Sequence, residues 1–218
     1  MESKQLAGYI DHTLLKPNIT NAQVDTLCTE ALEYSFASVC IPAYFVKRAK
    51  HNLDNTPVKV CTVIDFPFGY DYASAKVESI KKAIEFGAQE IDAVINIPAV
   101  KNGDWKTVKY ELDSMRTITK INDALLKIIF ETCYLTSQEI EMLAHACLEF
   151  DIDYLKTSTG FGTGGATVED VKLMKSIAGD KAKVKASGGI RTREDALKMI
   201  EAGASRIGAS AGIKIVTS

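Results

Sequence analysis

A lysine, Lys156, ends a short apolar run in the stretch 151–165, which then continues in small residues and glycines. Burial disfavours the charged form of a lysine and can lower its pKa by several units, so a lysine at the end of a buried strand suggests a use for its amine. Glycines let a backbone approach a bulky anion closely, because they carry no side chain and accept unusual dihedral angles. We predict an active centre here, with Lys156 as nucleophile and the following loop as part of a phosphate cradle.

Two further charged residues interrupt strand-like runs: Asp92 within 90–96 and Lys185 within 183–189. Side chains alternate faces along a strand, so with Leu155 and Val184 directed outward the three charged residues share the other face. A buried salt bridge, or a lysine reaching solvent from a strand end, is the alternative interpretation for each residue alone. Three such residues directed into one interior favour chemistry.

Lys156 and Lys185 fall on consecutive predicted strands, so their amines can approach to roughly 5 Å, where an effective dielectric of ~20 gives a repulsion of about 3 kcal/mol. This repulsion favours loss of a proton from one amine, and carbonyl attack requires a neutral amine. Asp92 supplies a carboxylate that can relay protons through water or Lys185. The three residues together indicate carbon–carbon chemistry through a Schiff base.

The elements that position these residues are eight strand-like runs alternating with helical patterns. A parallel sheet with helical crossovers follows, either an open doubly wound sheet or a closed barrel. No GxGxxG follows the first strand, and eight strands are what a barrel needs, so we predict an α/β fold, a (β/α)8 TIM barrel with residues 1–218 as one domain. The predicted strands are Tyr9–Thr13, Ser38–Ile41, Val58–Phe66, Glu90–Ile97, Leu125–Thr132, Asp153–Ser158, Lys183–Ser187 and Ser205–Gly208.

The predicted helices rest on apolar spacing and on capping residues, with Thr20 as an N-cap and Thr136 with Glu139 as a capping box. They cover Thr20–Tyr34, Ala43–Leu53, Tyr72–Phe86, Trp105–Ile121, Ser137–Phe150, Val168–Ala178 and Thr192–Ala202, followed by a short piece from Ala211.

Composition excludes several classes of protein. The chain has 218 residues, 46% of them apolar and 25% charged, and a net charge of −2, which gives no footprint for nucleic acid or an anionic membrane. Five cysteines without a CxxC spacing favour reduced core thiols in a cytoplasmic protein.

His12, His51 and His145 form no metal-ligand pattern, so no metal is expected. His12 is expected to be structural rather than to orient Asp11. No signal peptide and no membrane span are expected, because residues 1–5 do not begin a long apolar region and no apolar run approaches about 20 residues.

Glycines also mark the ends of the last two predicted strands, in the segments 187–191 and 208–212. In (β/α)8 enzymes these loops frequently bind phosphate through backbone N–H groups and a helix N-terminus. Glycines that merely turn a strand into a loop are the alternative. Arg191 is the nearest cation that could assist.

With these motifs in place, the chain resembles the deoxyribose-phosphate aldolases from Tyr9 to about Ile215. The resemblance implies a (β/α)8 barrel that reversibly cleaves 2-deoxy-D-ribose 5-phosphate to D-glyceraldehyde 3-phosphate and acetaldehyde without metal or cofactor, often as a homodimer or tetramer. The matching motifs are Ile10-Asp-His-Thr-Leu-Leu-Lys16, Ser38-Val-Cys-Ile-Pro42, Thr62-Val-Ile-Asp-Phe-Pro-Phe-Gly69, Ile91-Asp-Ala-Val-Ile-Asn96, Leu155-Lys-Thr-Ser-Thr-Gly-Phe161, Val184-Lys-Ala-Ser-Gly-Gly-Ile-Arg-Thr192 and Arg206-Ile-Gly-Ala-Ser210.

Position by position, the resemblance implies that Lys156 is the Schiff-base lysine, Lys185 the lysine that perturbs it and Asp92 the proton-relay aspartate, with Asp11 close by. The chain departs from the pattern at Phe161, where some relatives carry lysine, at Ala211, where many carry serine, and at Asp65, where glycine or asparagine is common. The implied phosphate contacts are Gly160, Gly188, Gly189, Gly208 and Ser210.

Three other functions remain open from the residues alone. A transaldolase-like enzyme would keep Lys156 and change the acceptor, whereas a cofactor-free sugar-phosphate isomerase would need a carboxylate base and no imine. A non-catalytic phosphosugar-binding protein is the third. Borohydride trapping of an aldehyde adduct distinguishes imine-forming enzymes from the other two.

Overall fold

The computed structural model describes residues 1–218 and contains eight parallel strands that close into a barrel in chain order, with β1 pairing to both β2 and β8. This confirms the predicted (β/α)8 architecture. The strands are β1 (Ile10–Thr13), β2 (Ser38–Ile41), β3 (Lys59–Ile64), β4 (Glu90–Val94), β5 (Leu125–Ile129), β6 (Tyr154–Lys156), β7 (Lys183–Ser187) and β8 (Arg206–Ala209).

Ten helices surround the barrel, and short 3₁₀ turns at Ala43–Phe45 and Thr132–Tyr134 accompany them. The predicted caps form: Thr20 and Thr136 each accept a backbone hydrogen bond within a capping box. No helix has both the length and the apolar character that crossing a membrane requires. The helices are α1 (Ser3–Ala7), α2 (Asn21–Tyr34), α3 (Val46–Asn52), α4 (Ala73–Glu85), α5 (Ile97–Lys101), α6 (Trp105–Ile121), α7 (Ser137–Glu149), α8 (Val168–Ala178), α9 (Arg193–Glu201) and α10 (Gly212–Thr217).

Four strands, β3, β4, β5 and β6, end earlier than the sequence predicted, and the ends of β4 and β5 have a local cause. β4 stops at Val94 because the Asn96 side chain caps α5, accepting a hydrogen bond from Ala99 N at 3.0 Å. β5 stops at Ile129 because Glu131 takes a left-handed φ of 55°, which no strand residue adopts. The sequence prediction also missed α1 and α5, which are only five residues long.

The alternation of side chains along the strands separates an apolar layer between the strands and the helices from the interior of the barrel. Ile91, Leu155 and Val184 are completely buried between the strands and the surrounding helices, as predicted. A separate small apolar cluster of Cys40, Cys61 and Val63 lies apart from that core. The barrel interior is otherwise rich in charge, and this is where the candidate site lies.

A buried lysine on α4, Lys76, fixes the loop that follows β3. Its ammonium donates to the carbonyls of Gly69 at 2.9 Å and Val94 at 2.7 Å, and it pairs with Asp65 and Glu111. Asp65 has φ 48°, a conformation that glycine and asparagine favour, so Lys76 offsets the strain of an aspartate at this position. The loop is thereby held at the rim of the barrel.

Candidate active site

Seven charged side chains contact one another inside the barrel, and all are buried. Burial of ions is unfavourable unless each finds a partner, so their mutual contacts hold the set together. The sequence predicted four of them and missed Glu90, Lys127 and Arg206. This interior charge cluster consists of Asp11 on β1, Glu90 and Asp92 on β4, Lys127 on β5, Lys156 on β6, Lys185 on β7 and Arg206 on β8.

Asp92 is the centre of the interior charge cluster. Its Oδ2 accepts hydrogen bonds from Lys156 Nζ and Lys185 Nζ, both at 2.7 Å, and its Oδ1 accepts one from Lys127 Nζ at 2.9 Å. Burial works against ionisation, but the three lysines together hold the pKa of Asp92 well below its usual value. The carboxylate is therefore ionised at neutral pH and shared by three amines.

The predicted pairing of Lys156 with Lys185 is present, because the two residues are register partners on neighbouring strands. Both amines bond the same oxygen, so they are separated by at most twice the 2.7 Å contact distance. The sequence prediction considered only their repulsion, whereas the structure places the carboxylate of Asp92 between them. Attraction to Asp92 and repulsion by the other cations therefore act on Lys156 together.

Lys185 is fixed in its charged form by two carboxylates. Its Nζ lies 2.5 Å from Asp11 Oδ2 in addition to its bond with Asp92. Burial lowers the pKa of Lys185, but Asp11 and Asp92 raise it by more, so the net shift is upward. Burial raises the pKa of Asp11, but Lys185 and Arg206 lower it by more, so the pKa of Asp11 lies below its usual value. Asp11, predicted close to the site, contacts Lys185 rather than Lys156.

The three residues that the sequence prediction missed form the deeper part of the cluster. Lys127 Nζ donates to Glu90 Oε2 at 2.6 Å, and Arg206 Nη2 donates to the same oxygen at 2.9 Å. Arg206 also bonds Asp11. Burial lowers the pKa of Lys127, yet Asp92, Cys61 and Glu90 raise it well above its usual value. The alternation rule applied to β4 and β5 would have placed Glu90 and Lys127 inside the barrel.

Two thiols adjoin the cluster. The ligand atoms of Cys40, Cys61 and Asp92 all lie within 4.8 Å of one another. A metal ion here would compete with three ammonium groups for the one carboxylate. All five cysteines have free thiols, and four of them are buried, whereas Cys133 is half-buried.

His12 has the predicted structural role. Its Nε2 lies 2.7 Å from Glu30 Oε2 on α2, and its ring packs at 4.9 Å from that of Phe36. The ring therefore contacts the helix layer and not Asp11.

A cavity of about 280 Å³ opens at the ends of β6, β7 and β8. Among the interior charge cluster, Lys156 alone lines it, so this amine is the one that a ligand in the cavity can touch. All five residues predicted to contact phosphate also line the cavity: Gly160, Gly188, Gly189, Gly208 and Ser210.

The glycines around the cavity keep main-chain donors available. The N–H groups of Gly160, Gly188, Gly189 and Ser210 donate no hydrogen bond within the chain. Gly160, Gly188 and Gly189 have φ of 84°, 83° and 81°, a region that other residues rarely adopt. A Cβ on Gly188 would lie 3.0 Å from the Cα of Gly165, so the two loops approach closely only because both residues are glycine. We call this ring of free N–H groups the main-chain cradle.

Glu131 holds the loop next to the main-chain cradle through hydrogen bonds to Thr159. The sequence prediction missed this role of Glu131, because it placed the residue inside a strand. Its buried carboxylate accepts hydrogen bonds from Thr159 N at 3.2 Å and from Thr159 Oγ1. Thr159 Oγ1 in turn accepts a bond from Phe161 N at 3.0 Å. The carboxylate therefore fixes the loop in which the free N–H of Gly160 lies.

Three side chains at the cavity mouth complete the site. Arg191, named by the sequence prediction, lines the cavity, and so does Lys16, which the prediction missed although it ends the first matching motif. Phe161 is 52% exposed and meets Phe66 edge-on, with ring centroids 5.3 Å apart. Two cations and one aromatic ring therefore surround the entrance.

A model of the DeoC/LacD family aldolases matches residues 6–217 of the chain. The chain belongs to this aldolase family. Among similar proteins, the deoxyribose-phosphate aldolase of Thermoanaerobacter sp. (strain X514) is 53% identical over 97% of the chain and 95% of that protein. The deoxyribose-phosphate aldolase of Exiguobacterium sp. (strain ATCC BAA-1283 / AT1b) is 52% identical over 98% of the chain and 96% of that protein.

Among solved structures, the chain is similar to the tetrameric deoxyribose phosphate aldolase from Aeropyrum pernix. It superimposes with a TM-score of 0.92 at 30% identity, and the match covers 99% of this chain and 91% of that one. The family thus accounts for the barrel and for aldol chemistry. The roles of individual residues rest on the geometry described above.

Proposed function

We propose that this DeoC/LacD family aldolase reversibly cleaves 2-deoxy-D-ribose 5-phosphate to D-glyceraldehyde 3-phosphate and acetaldehyde through a Schiff base on Lys156. The observation that carries the proposal is the position of the Lys156 amine, which lines the cavity while bonding Asp92 at 2.7 Å. The names of the full-length relatives support this choice of substrate.

The proposed reaction begins when the neutral amine of Lys156 attacks the C1 aldehyde of the open-chain sugar. Loss of water from the carbinolamine gives an iminium ion. Removal of the C3 hydroxyl proton breaks the C2–C3 bond, whose electron pair moves into an enamine, and glyceraldehyde 3-phosphate leaves. Protonation of the enamine at C2 and hydrolysis of the imine release acetaldehyde and restore Lys156.

Asp92 and Lys185 are the proposed proton relay for these steps. Asp92 bonds both lysines, so a proton that leaves Lys156 has a direct acceptor and a second amine beyond it. Asp11 keeps Lys185 charged and in place through its 2.5 Å contact. The same groups return a proton to the carbinolamine oxygen, which then leaves as water.

The main-chain cradle is the proposed phosphate site. The free N–H groups of Gly160, Gly188, Gly189 and Ser210 can donate to phosphate oxygens without offering a side chain that competes with the reactive amine. Gly208 lines the same cavity, and a Cβ there would lie 3.1 Å from Lys185 Cε, so it also keeps room for that lysine. Lys16 and Arg191 add positive charge at the mouth.

The other functions receive less support from the geometry. An isomerase needs a carboxylate that reaches the substrate, whereas Asp92 is 0% exposed and lies under the lysines that bond it. A transaldolase-like enzyme would use the same Lys156, and product identification separates it from the proposed reaction. No cofactor enters the proposed steps.

We further propose that residues 1–218 act as one catalytic domain that forms a homodimer or homotetramer in the cytoplasm. Arg193 on α9 joins the first and last residues, because its guanidinium donates to Met1 O at 2.6 Å and to Ser218 O at 3.4 Å. The relative from Aeropyrum pernix is tetrameric. Light scattering coupled to gel filtration measures the assembly directly, and a monomer at micromolar concentration would contradict it.

The experiment that tests the function is borohydride reduction in the presence of acetaldehyde, followed by peptide mass spectrometry. We expect one ethyl group on Lys156, no adduct in Lys156→Ala, and an unchanged adduct in Lys59→Ala, which alters an exposed lysine at the start of β3. Lys156→Ala should also lose all detectable aldol cleavage. An ethyl group on Lys185 would reverse the assigned roles, and no adduct at all would contradict the proposal.

A further inference from the structure

The interior charge cluster has a charge balance that depends on Lys156. It contains three carboxylates, Asp11, Glu90 and Asp92, and four cationic groups, the remaining three being Lys127, Lys185 and Arg206. With Lys156 protonated the cluster carries one net positive charge. With Lys156 neutral, the remaining charges cancel.

Direct contacts hold most of the other members in their charged forms. Opposing the effect of burial, neighbouring charges keep the pKa of Asp92 low and those of Lys127, Lys185 and Arg206 high. Lys156 differs from the other three cations in lining the cavity. It is therefore the cation whose proton a substrate and solvent can reach.

Other titratable groups also face the cluster. On β2 and β3 these are Cys40 and Cys61: burial raises the pKa of Cys61, while a hydrogen bond with Cys61 lowers that of Cys40. Tyr154 on β6 lies with its ring 5.9 Å from Lys127 Nζ, and Lys16 and Arg191 line the cavity. The variants below keep all of these residues, although Lys127→Met removes the ammonium that lies 3.5 Å from Cys61 Sγ.

We propose that Lys127, which does not line the substrate cavity, is a positioning residue that keeps Lys156 reactive. Its fixed positive charge offsets part of the negative charge of Asp92, so the Lys156 amine holds its proton less tightly. Lys127 occupies Asp92 Oδ1 at 2.9 Å, opposite the oxygen that bonds Lys156. It also ties Asp92 to Glu90 at 2.6 Å. This inference rests on the proposed imine chemistry of Lys156.

The direction of the effect follows from the charge count. Without Lys127, three carboxylates face only Lys185 and Arg206, so a proton on Lys156 restores neutrality and is retained. Two amines on opposite oxygens of one carboxylate lie roughly 7 Å apart, where one unit charge at an effective dielectric of ~20 shifts a titration by roughly 1.7 pH units. Removing a carboxylate must act in the opposite direction.

The test compares Lys127→Met, Glu90→Gln and the double variant with the wild type. The readout is the pH midpoint of the borohydride-trapped acetaldehyde adduct on Lys156. We expect Lys127→Met to move the midpoint by roughly one to two units toward alkaline pH and Glu90→Gln to move it toward acid pH. The double variant, in which one charge of each sign is absent, should return close to the wild-type midpoint.

A merely structural role for Lys127 would lower the amount of adduct at every pH and leave the midpoint in place. An unchanged midpoint in folded Lys127→Met, or shifts of the same sign in both single variants, would overturn the inference. If Lys127→Met does not fold, the comparison of Glu90→Gln with the double variant tests the inference. Glu90→Gln must shift the midpoint toward acid pH, and adding Lys127→Met to it must reverse that shift. No adduct in the wild type would instead contradict the proposed function itself.

Discussion

The barrel interior carries seven charged side chains that contact one another, whereas the rim above it presents main-chain N–H groups between glycines. In the interior, Asp92 is shared by three lysines at 2.7 to 2.9 Å. At the rim, Gly160, Gly188 and Gly189 hold left-handed conformations that leave their N–H groups free. Lys156 alone belongs to both regions.

This difference separates two tasks. Proton transfer needs groups that titrate, which side chains supply and main-chain amides do not. Holding a phosphate needs donors that stay neutral and fixed, which main-chain N–H groups provide. Changes in the interior should therefore act on the chemistry of any substrate, and changes at the rim on phosphorylated substrates alone.

The largest expected effect comes from the interior, in Lys185→Leu. This change removes a positive charge next to Lys156 and leaves Asp11 without its lysine partner. The pKa of Lys185 is raised, so it is charged throughout the working range and its loss should move imine formation about one pH unit or more toward alkaline values. Activity at pH 7 should fall at least tenfold and recover partly near pH 9. A lower rate with an unshifted pH profile would assign Lys185 to proton transfer or positioning instead of charge.

A second interior change separates imine formation from bond cleavage. Asp92→Asn keeps the size of the side chain but removes the charge that three lysines share. We expect carbon–carbon cleavage to fall by on the order of 100-fold or more, as for loss of a general acid–base group, with imine formation less affected. Single-turnover rates of adduct trapping and of glyceraldehyde 3-phosphate release measure the two steps. Equal losses in both would argue against a relay that acts after the imine forms.

At the rim, the expected effect is intermediate and restricted to phosphate. Gly189→Val places a branched side chain in the main-chain cradle, and no protein atom lies within 4 Å of the new Cβ. Inhibition by inorganic phosphate should weaken about tenfold, which corresponds to loss of one charged hydrogen bond. Gly179→Val is the matched control, because Gly179 also has a left-handed φ, 51°, with open space around it. Equal weakening in both variants would indicate backbone strain alone.

The smallest expected effect is at Phe161. Its exposed ring lies at the cavity mouth and carries no charge. Phe161→Lys should increase the preference for the phosphorylated sugar by roughly 1.5-fold to fivefold, the range for one exposed charge contact. Phe161→Met is the uncharged control. A larger gain at high salt than at low salt would contradict an electrostatic cause.

Much of both regions could be predicted from residue order. Period-two alternation placed Asp92, Lys156 and Lys185 inside the barrel, and glycines after β6, β7 and β8 marked the rim. Those features are local, so the sequence carries them directly. The same alternation also applies to Glu90 and Lys127, whose partners come from other strands.

What the sequence could not supply was the set of contacts between distant residues. Arg206 and Asp11 are 195 positions apart, and Glu131 and Thr159 are 28 apart, yet each pair is joined by hydrogen bonds. Only closure of the barrel brings such pairs together. The position of Asp92 between two lysines, which changes the electrostatic surroundings of Lys156, could not be read from the sequence for the same reason.

The separation of chemistry from phosphate binding is the central claim, and one ratio tests it. We would measure kcat/KM for 2-deoxyribose 5-phosphate divided by kcat/KM for 2-deoxyribose in Lys185→Leu, in Gly189→Val and in the wild type. Lys185→Leu should lower both values and leave the ratio within about twofold of wild type, whereas Gly189→Val should lower the ratio about tenfold. A ratio that falls as far in Lys185→Leu as in Gly189→Val, or that is unchanged in folded Gly189→Val, would contradict the account.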